Sequence, residues 1–362
     1  MRFSYIFGIR FWDWIKLLSS CQLRLSPSCL PRAGAITVLS LVNSAWGGLE
    51  DLCYGQIIED VEINAHPLFV LGHQRSGTTH LHNLLMLDPE FAAPTLPQVF
   101  FPHWLLLGER VLARLLASRL GRIRGFDNVR LEFDSPQEEE LALCALGAPS
   151  TYLSLLLPRQ IHETSNFRYF RGRPGPEAAR WKTIYVRFLN KLTYKYGRRL
   201  ALKSPPHTAR IRTLLEIYPD ARFVHIARHP YRVFQSYRSF LIYLFKNFSW
   251  LQEPRLEGLD ERIFRHYSAM YDAYFEDLAL LAPNRFHSLR FEDLEKSPIS
   301  EMEALYTKLE LPGFPSVKPR IEDYVKNLSG YRKNVYPDLT AEEKSKIRAA
   351  WSRSFESWHY EF

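Results

Sequence analysis

A short segment bounded by glycines has the residue types that suit anion binding. It runs from Gly72 to Thr79 with the sequence Gly-His-Gln-Arg-Ser-Gly-Thr-Thr. The spacing of its two glycines matches the start of a Walker A loop, in which backbone N–H groups cradle phosphate. A nucleotide triphosphatase would carry lysine where this chain has Thr78, and the positive charge lies instead within the loop at Arg75. The segment therefore predicts a phosphate site that does not serve ATP or GTP hydrolysis.

Two further cations stand where apolar runs end. Lys203 closes the run that begins at Arg199, and Arg228 follows the run Arg222–Ala227. A phosphoryl-transfer enzyme would normally place an acidic residue at such a strand end to hold Mg²⁺. Lysine and arginine can neutralise an anionic donor without a metal. Ser236 follows Arg228 by about two helical turns, and the pair predicts a second phosphate site.

The elements that must position these groups are strands that alternate with helices. A buried strand is predicted over His66–Gly72, and a helical pattern follows it. Arg199–Lys203 precedes a helix predicted over Thr208–Tyr218, and Arg222–Ala227 precedes a helix with Pro230 in its first turn. This alternation predicts an α/β fold with three layers, in which helices cover both faces of a central parallel sheet.

These motifs resemble the sulfotransferases that use 3'-phosphoadenosine 5'-phosphosulfate (PAPS), particularly the bacterial-type branch. Gln74–Thr79 resembles the family's 5'-phosphosulfate loop, and Arg228 with Ser236 repeats its Arg, seven residues, Ser signature for the 3'-phosphate. The segment Leu202-Lys-Ser-Pro-Pro-His207 is typical of this branch. The resemblance spans about residues 41–336. It implies a P-loop-like fold and metal-independent transfer of a sulfuryl group to an acceptor hydroxyl or amine, with 3',5'-adenosine bisphosphate as the product.

The resemblance also implies which residues bind the donor. Lys203 would face the bridging oxygen, so that Arg75 and Lys203 would stabilise the departing phosphate. Arg228 and Ser236 would hold the 3'-phosphate. The segment Ser329-Gly-Tyr-Arg-Lys resembles a basic loop that closes over the nucleotide in some relatives, and this makes Arg332 and Lys333 candidate binders. The residues implied to hold the 5'-phosphosulfate are Gln74, Arg75, Ser76, Gly77, Thr78 and Thr79.

A general base must also be found, because the acceptor loses a proton. Several relatives place a glutamate about 20 residues after the phosphate loop, where this chain offers only Gln98. His207, four residues after Lys203, is one candidate, and its alternative role is to cap the following helix. Glu139 is the other candidate, and it lies within three consecutive carboxylates at a predicted helix start. Its alternative role is to interact with the helix dipole, as acidic residues in a first turn commonly do.

The acceptor is expected to contact an insertion at about residues 90–195, between the first two strand–helix units. Aromatic residues make up 14% of the chain, and this favours a small apolar or lipid-like acceptor over a sugar chain. A helix is predicted over Trp104–Leu120, and arginines continue to Arg130. It is either a core helix with a solvated basic face or a contact with a membrane surface. Residues 1–40 are expected to form an amphipathic docking segment and residues 41–362 a single domain.

Composition sets the remaining limits. The 47 Lys and Arg against 39 Asp and Glu give a formal net charge of +8, and 46% of residues are hydrophobic, as in a folded globular protein. The cations are interspersed with acids and no recognition module is present, so nucleic-acid binding is not expected. The four cysteines lack zinc or disulfide spacing, which favours a reducing, cytoplasmic location, and the sequence also allows peripheral membrane contact. The oligomeric state is not determined by these patterns.

Two alternatives to a sulfotransferase remain open from the sequence. One is a catalytically silent nucleotide-binding or membrane-surface protein that has lost its base, which Gln98 allows. The other is a P-loop kinase, which the missing Walker lysine and the missing strand-end aspartate disfavour.

Overall fold

The computed structural model describes residues 6–20, 22, 25–63, 66–116, 132–158, 170, 175–247, 251–254, 256–328 and 334–361. Within these ranges five strands form one sheet with the order β2-β3-β1-β4-β5, and every pair is parallel. The strands are β1 (Leu68–Leu71), β2 (Phe91–Ala92), β3 (Arg199–Lys203), β4 (Arg222–Ala227) and β5 (Phe286–Arg290). The predicted α/β fold is thereby confirmed, and β2 and β5 are additional to the three predicted strands.

The helices of the described residues flank this sheet and connect its strands. They are α1 (Phe11–Ser20), α2 (Leu30–Glu59), α3 (Thr78–Leu85), α4 (Leu96–Phe100), α5 (Glu109–Leu116), α6 (Glu139–Ala145), α7 (Leu153–Leu156), α8 (Pro176–Tyr196), α9 (Ile211–Ile217), α10 (Pro230–Asn247), α11 (Leu259–Asp277), α12 (Phe291–Lys296), α13 (Pro298–Lys308), α14 (Phe314–Asn327) and α15 (Ala341–Ser357).

The central strand β1 is buried over its whole length, as expected of a parallel strand covered on both faces. Alternate residues enter different layers: Phe69 belongs to the cluster that contains side chains of α8 and α11, while Val70 belongs to the cluster that contains side chains of α3, α13 and α14. Because the strands are parallel and in register, Val70 lies beside Lys203, and Leu71 lies beside His225 of β4. The residues that follow the strands therefore meet at one edge of the sheet.

The N-terminal helix α1 packs along α2. Trp14 is buried, and its indole N–H donates to the Thr37 hydroxyl over 2.8 Å. The expected boundary between residues 40 and 41 lies inside α2, which continues to Glu59. No helix within the described ranges has both the length and the apolar character that a membrane crossing requires.

Two helices differ from their predicted extents. The predicted helix Trp104–Leu120 is wrong at its start: a 3-10 turn ends at Trp104, and α5 begins only at Glu109. Between them lies Gly108, where a Cβ would come within 2.6 Å of the Trp104 ring. The part of this prediction after residue 116 lies outside the described residues. The helix predicted from Thr208 begins at Ile211, because a 3-10 turn occupies residues 205–209 first.

Candidate active site

The phosphate loop joins β1 to α3 and begins at a glycine that no other residue could replace without strain. Gly72 has a φ of +146°, and a Cβ there would lie 2.7 Å from the Ser76 hydroxyl oxygen and 2.8 Å from the carbonyl oxygen of Ile226. Both the backbone N–H and the hydroxyl of Ser76 donate to the carbonyl of His73, over 3.1 and 2.8 Å. The loop is therefore closed by its own hydrogen bonds.

The second loop glycine directs the chain into α3. Gly77 has a φ of +101°, and a Cβ there would lie 2.3 Å from the ring of Phe291, the first residue of α12. Helix α3 begins at the next residue, Thr78, so its unpaired N–H groups and the positive end of its dipole lie at the loop. This arrangement can bind an anion at the loop.

Arg75 connects the two phosphate motifs that the sequence predicted separately. Its φ of +73° is rare for a residue other than glycine, so the surrounding structure must hold it in place. Its guanidinium Nε donates to the Ser236 hydroxyl over 2.9 Å, and its carbonyl accepts from Arg228 Nη1 over 3.0 Å. The Arg228 guanidinium also lies over the Phe291 ring, 4.3 Å from its centroid. The loop and the Arg228–Ser236 pair therefore form one continuous cationic site.

Tyr336 is a member of this site that the sequence did not predict. Its hydroxyl lies 2.9 Å from the Ser236 hydroxyl and accepts from Asn334 over 3.5 Å. Burial raises the pKa of Tyr336, but these hydrogen bonds and the nearby charge of Arg75 outweigh it, and the net pKa is below the ordinary value. The only sequence signal was proximity to the predicted basic segment. Of that segment, Arg332 and Lys333 lie outside the described residues.

Lys203 ends β3 with its side chain almost fully buried. Its ammonium donates to Glu138 Oε1 over 2.6 Å and to the Thr79 hydroxyl over 3.5 Å. Thr79 belongs to α3, directly after the phosphate loop. Lys203 therefore bridges the phosphate loop and a carboxylate that the sequence reasoning did not select.

Glu138 is the N-cap residue of α6, with an extended backbone (φ −79°, ψ 122°). Its side chain is 23% exposed, and its second carboxylate oxygen accepts from the hydroxyl of Tyr152. Burial, together with the charge of Glu138, raises the pKa of Tyr152 well above its ordinary value, so this hydroxyl keeps its proton and remains a donor. Glu138 is thus a carboxylate that touches both the site lysine and solvent.

The two predicted base candidates, Glu139 and His207, pair with each other. The carboxylate of Glu139 contacts His207 Nε2, which also lies 3.1 Å from the Tyr185 hydroxyl, and the side chains of Glu139 and His207 are 0% exposed. Burial raises the pKa of Glu139, but the charge and hydrogen bond of His207 outweigh it, and the net pKa is lowered. Their catalytic roles stay predictions, and complete burial does not favour them.

The neighbouring Glu140 is equally buried and serves the fold. Its carboxylate accepts from Arg210, with contacts of 2.7 and 3.3 Å, and from the Ser150 hydroxyl over 2.7 Å. The Arg210 guanidinium lies 4.9 Å from the Trp181 ring centroid. Two successive carboxylates are therefore anchored in the core, and this fixes the start of α6 and the place of the residue before it.

Gln98 occupies the position at which several relatives carry the glutamate considered above as a base. In this chain it is a packing residue. It is 1% exposed in α4. Its amide nitrogen donates to Glu109 over 2.8 Å and to the Tyr196 hydroxyl over 2.7 Å, and its oxygen accepts from the backbone of Thr95 over 3.0 Å. Gln98 therefore holds α4 against α5 and α8.

Comparison with known proteins identifies the class that this fold and site define. A family model described as "Sulfotransferase family" matches residues 67–316. Over 357 residues the chain is 32% identical to the omega-hydroxy-beta-dihydromenaquinone-9 sulfotransferase Stf3 of Mycobacterium bovis, and the match covers 98% of this chain and 90% of that protein. The Mycobacterium tuberculosis protein of the same name matches equally. The chain belongs to the sulfotransferase family.

Two solved structures share the fold. Sulfotransferase STF9 from Mycobacterium avium superposes with a TM-score of 0.72 at 18% identity, covering 93% of this chain and 88% of that one. Sulfotransferase STF1 from Mycobacterium tuberculosis H37Rv superposes with a TM-score of 0.67 at 18% identity, covering 96% and 94%. The predicted family and P-loop-like fold are confirmed, and neither a kinase nor a catalytically silent protein is favoured.

Proposed function

We propose that this protein transfers a sulfuryl group from PAPS to the hydroxyl of a small, lipid-like acceptor and releases 3',5'-adenosine bisphosphate. One observation carries the choice of donor. Arg75 joins the phosphate loop to Ser236 and Arg228, so that two anion sites lie side by side. A nucleotide with phosphate groups at both its 5' and 3' ends has the charge distribution that such a pair of sites complements.

The residues at the site fit this donor. The phosphate loop, with its N–H groups and the hydroxyls of Ser76, Thr78 and Thr79, would hold the 5'-phosphosulfate. Arg228 and Ser236 would hold the 3'-phosphate, and Tyr336, which lies 2.9 Å from Ser236, would add a third donor there. The bound donor would supply an activated sulfuryl group. All these protein groups are cations or hydrogen-bond donors, which is the chemistry an anion requires.

Lys203 would stabilise the charge that develops on the departing phosphate. Its ammonium is almost fully buried and already lies 3.5 Å from the Thr79 hydroxyl. A preorganised cation in a water-poor site stabilises developing charge more strongly than it would in water. Arg75 would act on the same phosphate from within the loop. The reaction is proposed to need no metal ion, since these two cations take that role.

Glu138 would remove the proton from the acceptor hydroxyl. Of the three consecutive glutamates, Glu138 is the one that is partly exposed to solvent. It also accepts a hydrogen bond from the site lysine, Lys203, over 2.6 Å. The Tyr152 hydroxyl orients its other oxygen. A general base must reach the proton that it abstracts, and a partly exposed carboxylate beside the leaving-group lysine meets this requirement. Glu139 and His207 would then position Glu138 by anchoring α6.

The acceptor class follows from the relative that covers nearly all of this chain. That relative is named for a hydroxylated menaquinone, and the present chain shares 32% of its residues over 357 positions. An acceptor with an alcohol at the end of an apolar body would therefore suit this protein. Such acceptors reside in membranes, so we also propose that the protein is cytoplasmic and works at a membrane surface. The free thiols of Cys53 and Cys144 agree with a reducing compartment.

The test is an acceptor screen with isotopically labelled PAPS and mass-spectrometric detection, spanning lipid alcohols, sterols, phenols and sugars. Thermal stabilisation by 3',5'-adenosine bisphosphate is measured in parallel, because a ligand of the native state raises the melting temperature. We expect labelled product from lipid alcohols and a clear thermal shift. A lack of thermal shift at saturating nucleotide, with no product from any acceptor, would contradict the proposal.

A further inference from the structure

One face of α2 concentrates apolar surface that the fold leaves exposed. Among the described residues, six of the thirteen large apolar side chains that are exposed lie between Leu30 and Leu52 of this helix. Their exposed fractions range from 47% to 87%. We call this surface the α2 apolar face; its members are Leu30, Val38, Leu41, Val42, Leu49 and Leu52.

The α2 apolar face is continuous along the helix. Val38, Leu41, Leu49 and Leu52 recur at spacings that return to the same side of an α-helix, and the exposed residue between them, Ala45, is also apolar. Every exposed residue from position 30 to position 52 is apolar. At about 1.5 Å per residue, this uncharged surface is roughly 33 Å long.

The buried face of α2 is mixed: Ala33, Ile36, Gly47 and Ile58 are buried, and so are the polar residues Ser40, Asn43 and Glu50. Asn43 is 0% exposed and donates to the carbonyls of Phe7 and Ile9 over 2.6 and 3.1 Å. Glu50 is also 0% exposed and pairs with Lys191 over 2.6 Å. A helix at a water-exposed surface carries polar residues on its outward face, whereas the exposed residues of α2 from position 30 to position 52 are apolar. The outward face of α2 is therefore suited to an apolar environment.

Two cations lie near the start of this face. Lys16 is exposed on α1, and Arg32 lies near the start of α2. The acidic side chains of α1 and α2 themselves are paired: Asp13 with Arg180, Glu50 with Lys191, Asp51 with Arg10 and Arg187, and Glu59 with Arg187. Helix α1 also carries Trp12, which is 71% exposed, and tryptophan is enriched where protein meets the headgroup region of a bilayer. Cations and an exposed indole beside an apolar face suit an anionic lipid surface.

A second copy of this chain is a weaker match for the same face. Helices that pair through an apolar seam carry charged residues on both sides of it, which set the partner and its orientation. Along the middle of the α2 apolar face the half-buried flanking positions Ala35, Thr37, Ser44 and Gly48 carry no charge. The charged half-buried residues Arg32 and Asp51 lie only at its two ends, and Asp51 is already paired with Arg10 and Arg187. A lipid surface needs no such pairing.

We propose that the α2 apolar face lies within the surface of an anionic lipid bilayer, with Lys16 and Arg32 at the headgroups. This inference rests on the proposed function, since a lipid-like acceptor would be collected from a bilayer. It adds the surface by which the enzyme reaches that acceptor. The helix lies on the bilayer and does not cross it.

The experiment measures binding of the full chain to vesicles of phosphatidylcholine and phosphatidylglycerol by flotation. The test variant is Leu41→Glu with Leu49→Glu; both side chains are about half exposed, so the fold should tolerate the change. We expect vesicle binding at least about tenfold weaker than wild type, because each leucine loses its apolar burial and gains a charge. The matched control is Leu280→Glu, an exposed leucine of the turn after α11, for which binding should be unchanged.

Two further measurements distinguish a failure of the surface assignment from a failure of the proposed function. Transfer to a short, water-soluble alcohol and the thermal shift with 3',5'-adenosine bisphosphate should be the same in wild type and double variant. Vesicle binding by the double variant at the wild-type level would overturn the proposal. So would a wild-type dimer, seen by light scattering, that the double variant loses. Vesicle binding through this face without any sulfuryl transfer would contradict the proposed function and leave the surface assignment standing.

Discussion

Replacing Glu138 by glutamine tests the assignment of the general base. The Glu138→Gln side chain has the same shape; its single amide oxygen can still accept from Lys203, and its NH2 group can donate to the Tyr152 hydroxyl oxygen, which in the wild type donates to the second carboxylate oxygen. The fold should therefore persist. We expect a stability loss of about 1–3 kcal/mol, because the buried ammonium of Lys203 loses its charged partner.

The catalytic effect should be much larger than the structural one. A positioned general base contributes about 100- to 10,000-fold to the rate, and an amide cannot accept the acceptor's proton. We expect kcat for Glu138→Gln to fall by that factor, with little change in the affinity for 3',5'-adenosine bisphosphate. Glu138→Asp, which keeps a carboxylate, should recover part of the lost rate.

The assay follows labelled sulfate from PAPS to a lipid alcohol, and melting temperatures are recorded for each variant. Glu139→Gln is the matched neighbour, since it removes the adjacent carboxylate, which is fully buried. It should lower stability more than Glu138→Gln does. Its loss of rate, once the folded fraction is corrected for, should be smaller. Wild-type turnover by Glu138→Gln would refute the assignment of Glu138 as the base. So would a corrected loss of rate that is larger in Glu139→Gln than in Glu138→Gln.

Three further predictions concern the donor site and acid stability. Lys203→Ala should lower kcat about 100- to 1000-fold, because it removes a cation that stabilises the departing phosphate, and wild-type turnover in this variant would exclude that role. Tyr336→Phe should weaken binding of 3',5'-adenosine bisphosphate about 10- to 100-fold in calorimetry, the cost of one hydrogen bond to a charged group, and unchanged affinity would remove Tyr336 from the 3'-phosphate site. The pKa of Glu139 is lower in the folded chain than in the unfolded chain. The ionised carboxylate therefore stabilises the fold fully at pH values above the unfolded pKa of about 4.3. This stabilisation is lost as the pH falls through the folded pKa. Urea titrations should therefore show wild-type stability falling at acid pH and a flatter acid limb for Glu139→Gln; parallel curves would contradict the pairing of Glu139 with His207.

Local patterns predicted most of the sheet and the donor motifs. Strand β1 and the phosphate loop are adjacent in sequence, so glycine spacing and an apolar run were sufficient to locate them. Strand β2 has only two residues, which is too short for any periodicity to be visible. Strand β5 has one buried residue among five, so it lacks the apolar run that indicates a buried strand.

The choice among the three consecutive glutamates could not be made from the sequence. The sequence analysis placed the three carboxylates together at one predicted helix start. The structure begins α6 at Glu139 and leaves Glu138 extended at the N-cap. This one-residue difference separates the carboxylate that touches Lys203 from the one that is buried against His207.

Tyr336 was missed because its contact is distant in the chain. Its hydroxyl meets Ser236, one hundred positions earlier, and no local pattern records such a pairing. The α2 apolar face was missed for a similar reason. Its sequence reads as a buried helix, and only the packing of Asn43 and Glu50 shows which side faces inward.

The central claim is that the Arg75-linked pair of anion sites serves sulfuryl transfer from PAPS to a lipid-like alcohol. The most direct measurement incubates the purified full chain with labelled PAPS and a terminally hydroxylated isoprenoid quinone in vesicles, and analyses the lipid by mass spectrometry. We predict a product heavier by one sulfuryl group that carries the label, and none with Arg75→Ala. If the lipid stays unmodified and 3',5'-adenosine bisphosphate also leaves the melting temperature of the protein unchanged, the account is contradicted.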